Sequence, residues 1–218
     1  MTEAKPTVLI VDDDADIREA LQTLLRSVGL ESRAMESLPD FLKSEPPLGP
    51  TCLILDVRLP GRSGLDYQRD LAAANVKLPI IFITGHGDVP MSVQAMKGGA
   101  IEFLTKPFRD QDLLDAIQLG LTRDRARCES EEALRTVREC FETLTPRERE
   151  VMTEVLKGRL NKQIAGDIGV SEVTVKAHRG QVMRKMKASS LLDLARMAEK
   201  LKLTPEALQA AYSNRRGG

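Results

Sequence analysis

Asp12 and Asp13 follow directly on the apolar run Thr7-Val8-Leu9-Ile10-Val11, and Asp56 closes a second run, Cys52-Leu53-Ile54-Leu55. Short continuous apolar runs of this kind suit central parallel strands buried on both faces. Carboxylates at the ends of two neighbouring strands share one crevice, where three anions repel unless a cation joins them. Oxygen donors with no His or Cys nearby favour Mg²⁺, which keeps its waters and needs few protein ligands. A carboxylate beside such a metal can attack a phosphoryl group, because the metal neutralises charge as it develops. Thr84 ends a further run, Ile80-Ile81-Phe82-Ile83, and Lys106 follows Ile101-Glu102-Phe103-Leu104 just ahead of Pro107. Their hydroxyl and ammonium could bind phosphoryl oxygens at the same edge, and a cis Lys106-Pro107 peptide would aim the lysine there.

Positioning these groups requires alternating strands and helices. Ile17, Leu21, Leu24, Leu25 and Val28 recur at helical spacing and stop at Gly29. Leu65 to Ala73 and Met91 to Met96 supply further helical stretches, and Leu113, Leu114, Ile117 and Leu121 line a fifth helix. With a weaker strand at Leu30–Met35 and a helix after Ser37, the first 121 residues read as (βα)5. The expected architecture is α/β, a doubly wound, flavodoxin-like parallel sheet covered on both faces. In strand order 2-1-3-4-5 the first and third strands flank the topological switch point, which is where Asp12, Asp13 and Asp56 would meet.

Residues 122–142 read as a helical linker. Its first half is charged, without Pro, Gly or a large apolar residue, and then Leu134, Val137, Phe141 and Leu144 resume a helical spacing. The two apolar stretches are out of heptad phase, so a solvated spacer is favoured over a coiled coil. Residues 143–218 read as all-helical. Thr145-Pro146-Arg147-Glu148 combines an N-cap, Pro at N1 and Glu at N3. Asn161 starts a short helix to Ile168, Gly169-Val170 makes a turn, and Ser171 caps a third helix running to about Lys187. A fourth starts at Ser189 or Ser190, and Thr204-Pro205-Glu206 suggests another before a polar tail, Ser213 to Gly218.

The net charge of zero hides an asymmetry. Residues 1–122 carry 12 Lys+Arg against 18 Asp+Glu, whereas residues 143–218 carry 15 against 8. An acidic first half suits cations, and a basic last third suits a polyanion. The short helix, tight turn and longer helix form a helix-turn-helix pattern. Val175, Val182 and Met186 fall on one face of the longer helix, above Ile164 and Ile168. Thr174, Lys176, Ala177, Gly180, Gln181, Arg184 and Lys185 fall on the other, a cationic face suited to a DNA major groove. No apolar run reaches the length of a membrane span. The first residues lack the apolar core of a signal peptide. Cys52, Cys128 and Cys140 show no metal-ligand spacing and fit a reducing cytoplasm, with Cys52 read as packing.

Single residues carry less weight than the set. Asp14 and Asp16 suit the N-terminus of the first helix; Phe103 alone reads as core, Thr84 as a turn residue, and His86 and the Arg58 side chain as surface. Together, Asp12-Asp13, Leu55-Asp56, Pro60-Gly61, Thr84-Gly85 and Lys106-Pro107-Phe108 resemble the receiver domain of bacterial two-component response regulators. The stretch Thr84 to Met91 is similar to the FixJ branch. Leu144 to Val151, Asn161 to Ala165 and Ser171 to His178 resemble the LuxR-type helix-turn-helix of NarL and FixJ regulators. The resemblance implies that Asp56 is the phosphoacceptor for a sensor histidine kinase. Asp13, Asp56 and the Arg58 backbone carbonyl would ligate Mg²⁺, with Asp12 acting mainly through water. Thr84 and Lys106 would bind the phosphoryl group, and Phe103 would be the aromatic switch. Val93 and Lys97 would pair two receivers into a homodimer on phosphorylation. On promoter DNA, Lys176, Ala177 and Gly180 would face bases, and Thr174, His178, Arg179 and Arg184 would lie near phosphates. Leu191 to Ala198 would form a dimer contact on DNA, and RNA polymerase would be a further partner. Gly180 departs from the long side chain found there in other members, which leaves base specificity open.

Three other functions are weighed. An aspartyl-phosphate phosphatase usually carries a second acid two residues after its nucleophile, where this chain has Arg58. A ligand-sensing LuxR regulator needs an aromatic-lined pocket, and aromatic residues make up 3% of this chain. A receiver used only for dimerisation would not need the full acidic set.

Overall fold

The computed structural model describes residues 5–45 and 47–203, so the expected helix at Thr204-Pro205-Glu206 and the polar tail lie outside the described residues. The chain divides into two compact units, Met1–Glu129 and Ser130–Gly218.

In the first unit the apolar runs become β1 (Thr7–Val11), β3 (Thr51–Asp56) and β4 (Ile80–Thr84), buried at every position. The less apolar segments, β2 (Glu31–Met35) and β5 (Glu102–Thr105), take the two edges. The sheet is parallel throughout, in the order β2-β1-β3-β4-β5. Strand side chains alternate between faces, which splits the core in two. Val8, Ile10, Cys52, Ile54, Ile81 and Ile83 pack under α1 (Ala15–Ser27) and the start of α5 (Asp110–Glu142). Leu9, Val11, Leu53, Leu55 and Phe82 face α2 (Leu38–Lys43), α3 (Gly64–Ala73) and α4 (Val89–Lys97). Asp14, Ser37, Ser63 and Asp88 cap α1 to α4 with their side chains, satisfying N–H groups that the first turn leaves orphaned. The fifth strand starts at Glu102, one residue later than expected, although Ile101 already donates its N–H to the Ile80 carbonyl of β4 and packs its side chain in the core.

The fifth helix and the expected linker form one helix of 33 residues. Asp124 is buried against the sheet, and Val137, Cys140 and Phe141 pack in the core of the second unit. The fully solvated stretch is therefore only about Glu129 to Ala133, shorter than a spacer over 122–132. That second core is completed by α6 (Pro146–Leu156), α7 (Asn161–Ile168), α8 (Glu172–Lys185) and α9 (Leu191–Lys200). Helix α8 stops before Lys187, which adopts a left-handed φ of 55°. Among the described residues no helix is long and apolar enough to cross a membrane.

Candidate functional site

The parallel register sets Val11 beside Leu55 and Asp56 beside Ile83, so β1 and β3 end together. Asp12 and Asp56, both buried, and the exposed Asp13 each offer a carboxylate oxygen within 4.8 Å of the others. Each buried carboxylate is oriented by a backbone N–H: Asp14 donates to Asp12 Oδ1 at 3.0 Å and Arg58 to Asp56 Oδ1 at 2.9 Å. Lys106, just beyond β5, spans the pair, its Nζ lying 2.7 Å from Asp12 Oδ2 and 2.9 Å from Asp56 Oδ2. Its N–H bonds the Thr84 carbonyl at 2.7 Å, and the peptide to Pro107 is cis, as anticipated. Arg58 itself is on the exposed loop after Val57.

The charges do not balance. Burial pushes the Asp12 carboxyl above the usual carboxylate range, although Lys106 and the Asp14 N–H pull it down. For Lys106, burial pulls down, but the bonds to Asp12 and Asp56 outweigh it and raise the ammonium. One ammonium against three carboxylates leaves a crevice short of positive charge. A donor set of oxygens alone matches a hard divalent cation.

Thr84 is fully buried and its hydroxyl accepts from the His86 N–H at 3.3 Å. Phe103 is half-buried, its ring 6.4 Å from that of Phe82. Sequence reasoning missed two glycines here. A Cβ on Gly64 would lie 2.5 Å from the Asp56 carbonyl oxygen, so only glycine lets α3 close onto the end of β3. A Cβ on Gly87 would lie 2.8 Å from the Phe103 ring and 2.7 Å from Thr105. Neither constraint has a local signal, since each arises from chain brought together by the sheet. On α4, Val93 and Lys97 are exposed, and Val89 and Met96 extend Val93 into an apolar stripe.

In the second unit Gly169 turns the chain with φ 67°, and Ser171 caps α8. Val175, Val182 and Met186 are buried with Ile164, as their spacing required. Lys176, Ala177, Gly180 and Arg184 are exposed, whereas Thr174, His178 and Arg179 are half-buried. Arg179 bonds Asn161 at 3.1 Å, and Thr174 bonds the cap residue Ser171. Nothing lies within 4 Å of a Cβ on Gly180, so no contact within the chain requires a glycine there. Lys185 departs from the cationic outer face: its ammonium turns to Glu148 at 2.7 Å and to the Thr143 carbonyl at 3.1 Å. Arg147, also missed, donates to the Ile168 carbonyl at the end of α7 and pairs with Glu150. On α9, Leu191 and Leu192 are exposed while Leu194 and Ala198 are core.

An open parallel sheet with an acidic crevice at its C-terminal edge, joined to a helix-turn-helix, defines a receiver with a nucleic-acid-binding output. Residues 8–118 match the family described as response regulator receiver domain, and residues 142–198 the one described as bacterial regulatory proteins, luxR family. Nodulation protein W of Bradyrhizobium diazoefficiens is 55% identical over 202 residues, 92% of this chain and 89% of that protein. The solved structure of the response regulator StyR matches with a TM-score of 0.83 and 48% identity, covering 90% of this chain and 100% of that one. Full-length FixJ from B. japonicum matches with a TM-score of 0.54 and 36% identity, over 92% and 98%. The chain belongs to the NarL/FixJ family of two-component response regulators. It is accordingly a transcriptional regulator and not an enzyme; the receiver implies a kinase partner, and the LuxR-type domain implies DNA binding.

Proposed function

We propose that Asp56 accepts a phosphoryl group from a sensor histidine kinase and that the phosphorylated receiver pairs with a second copy to bind promoter DNA. The observation that carries this reading is the convergence of Asp12, Asp13, Asp56 and Lys106 at one sheet edge. A carboxylate oxygen of Asp56 forms the new P–O bond as the P–N bond to the kinase histidine breaks. Mg²⁺ fits the donor set: Asp13, Asp56 and the Arg58 carbonyl would hold it, with Asp12 reaching it through water. When bound, it offsets the negative charge of the phosphoryl oxygens. Lys106 passes from the Asp56 carboxylate to a phosphoryl oxygen, and the Thr84 hydroxyl leaves the His86 N–H for another. Phe103 moves with Thr84 and reshapes the surface of α4, where Val93 and Lys97 meet the partner copy. Two recognition helices then enter half-sites about 10 bp apart. Lys176, Ala177 and Gly180 face bases, with Thr174, His178, Arg179 and Arg184 toward phosphates. RNA polymerase is the further partner, and the cytoplasm the site of action.

Acetyl phosphate with Mg²⁺ tests the chemistry without the kinase. Wild type should acquire one phosphate labile to hydroxylamine and alkali, as an acyl phosphate is, and dimerise in sedimentation, and Asp56→Asn should do neither. Equal dimerisation of the two proteins would falsify the assignment.

A further inference from the structure

Asp124 is a buried carboxylate that the phosphoryl chemistry does not use. It is 1% exposed and lies on α5 beyond Leu121, the last residue that this helix gives to the core of the first unit. Its Oδ2 accepts the backbone N–H of Thr51 at 2.8 Å, and its Oδ1 pairs with Arg127 at 2.7 Å. The Cys128 sulfur lies 3.7 Å from it. Thr51 opens β3, so this N–H belongs to the strand whose other end carries Asp56. One turn earlier on α5, a Cβ on Gly120 would meet the Cys52 sulfur at 2.7 Å. Glycine thus lets α5 approach β3 closely enough for the carboxylate to reach the strand. A helix held to a sheet by apolar contacts alone can shift by small increments, whereas a buried charge bonded to one N–H tolerates a single setting.

We infer that Asp124 is a positioning residue that locks α5 to the base of β3, so that phosphorylation at Asp56 is passed to the DNA-binding unit through one fixed setting of that helix. The inference rests on the phosphoacceptor role proposed for Asp56. Helix α5 suits the task because it runs unbroken from Asp110 to Glu142 and contributes Val137 to the core of the second unit.

Full-length Asp124→Ala, Asp124→Asn and Thr51→Pro test it beside wild type. Thr51→Pro removes the donor but keeps the carboxylate, and proline is tolerated as the first residue of a strand. Each protein is labelled with acetyl phosphate and Mg²⁺, then titrated onto a duplex that phosphorylated wild type selected from a random pool. Asp124→Ala and Thr51→Pro should still be labelled, while the ratio of phosphorylated to unphosphorylated affinity falls about fivefold or more toward one. Asp124→Asn keeps an oxygen for the Thr51 N–H and should restore most of the ratio, which a role in bulk stability alone would not predict. A wild-type ratio in both disruptive variants overturns the inference. So does loss of labelling in all three, which would make Asp124 a residue of receiver stability. If wild type itself shows no response to phosphate, the phosphoacceptor reading fails first and this inference falls with it.

Discussion

Lys106 is the one cation paired with the carboxylates of Asp12 and Asp56 among the described residues, and it bonds both at once, whereas Arg18 reaches only the Asp12 backbone carbonyl. Removing one member of a partly buried ion pair leaves an uncompensated charge, which here means two carboxylates facing each other. Lys106→Met should therefore lower receiver stability by about 1–3 kcal/mol without divalent cations. It should also enlarge the rise in melting temperature on adding MgCl₂, since the incoming ion no longer competes with an ammonium for Asp56. Calorimetry of both proteins with and without Mg²⁺ checks this; a variant that melts no lower and gains no more from the ion sinks it. The crevice was legible because strand ends announce themselves: an apolar run followed by Asp, Thr or Lys needs no tertiary information. Gly64 and Gly87 were not legible, because their constraint is a neighbour distant in sequence. Cys52 was rightly read as packing: burial, and then the charge of Asp124, push its thiol up to about 12.

Helix ends hold the second unit together. Glu148 is at once the third residue of α6, where it bonds the Thr145 N–H at 2.7 Å, and the partner of Lys185 at the end of α8. The sequence showed the first role through the Thr-Pro-Arg-Glu pattern. It hid the second, because periodicity places Lys185 on the outer stripe and says nothing of a long side chain turning back. Burial pushes the Glu148 carboxyl up, but Lys185 and the Thr145 groups hold it below the usual range. A depressed acid contributes stability above its unfolded pKa and loses it as pH falls through the folded one. The second unit should thus lose stability below about pH 4.3, the ordinary glutamate value. Glu148→Gln should cost about 2 kcal/mol at pH 7 and flatten that acid-side loss. Melting curves of the full chain between pH 3 and pH 7 (an approximate range chosen to bracket that value), with hydrogen exchange in α6 and α8 as the readout, check it. An unchanged acid slope in the variant would assign the loss to another group.

At the scale of the molecule, charge is divided between the two ends of the chain, 12 Lys+Arg against 18 Asp+Glu over residues 1–122 and 15 against 8 over residues 143–218. Only the second distribution favours a polyanion, and the cations that count are those not already neutralised within the fold. Arg184 is exposed on α8 and bonded to the neutral Gln181, while Lys185 spends its charge on Glu148. Each cation that displaces a counterion from B-DNA adds about 0.9 to the steepness with which log affinity falls against log salt. Arg184→Ala should reduce that slope by about 1 per bound subunit. Lys185→Met should leave the slope nearly unchanged even though it weakens the packing of α8 on α6. Titrations of the phosphorylated proteins onto one duplex across a series of salt concentrations separate the two. If Lys185→Met flattens the slope as much as Arg184→Ala, the ion pair with Glu148 opens on DNA and Lys185 is a phosphate contact after all.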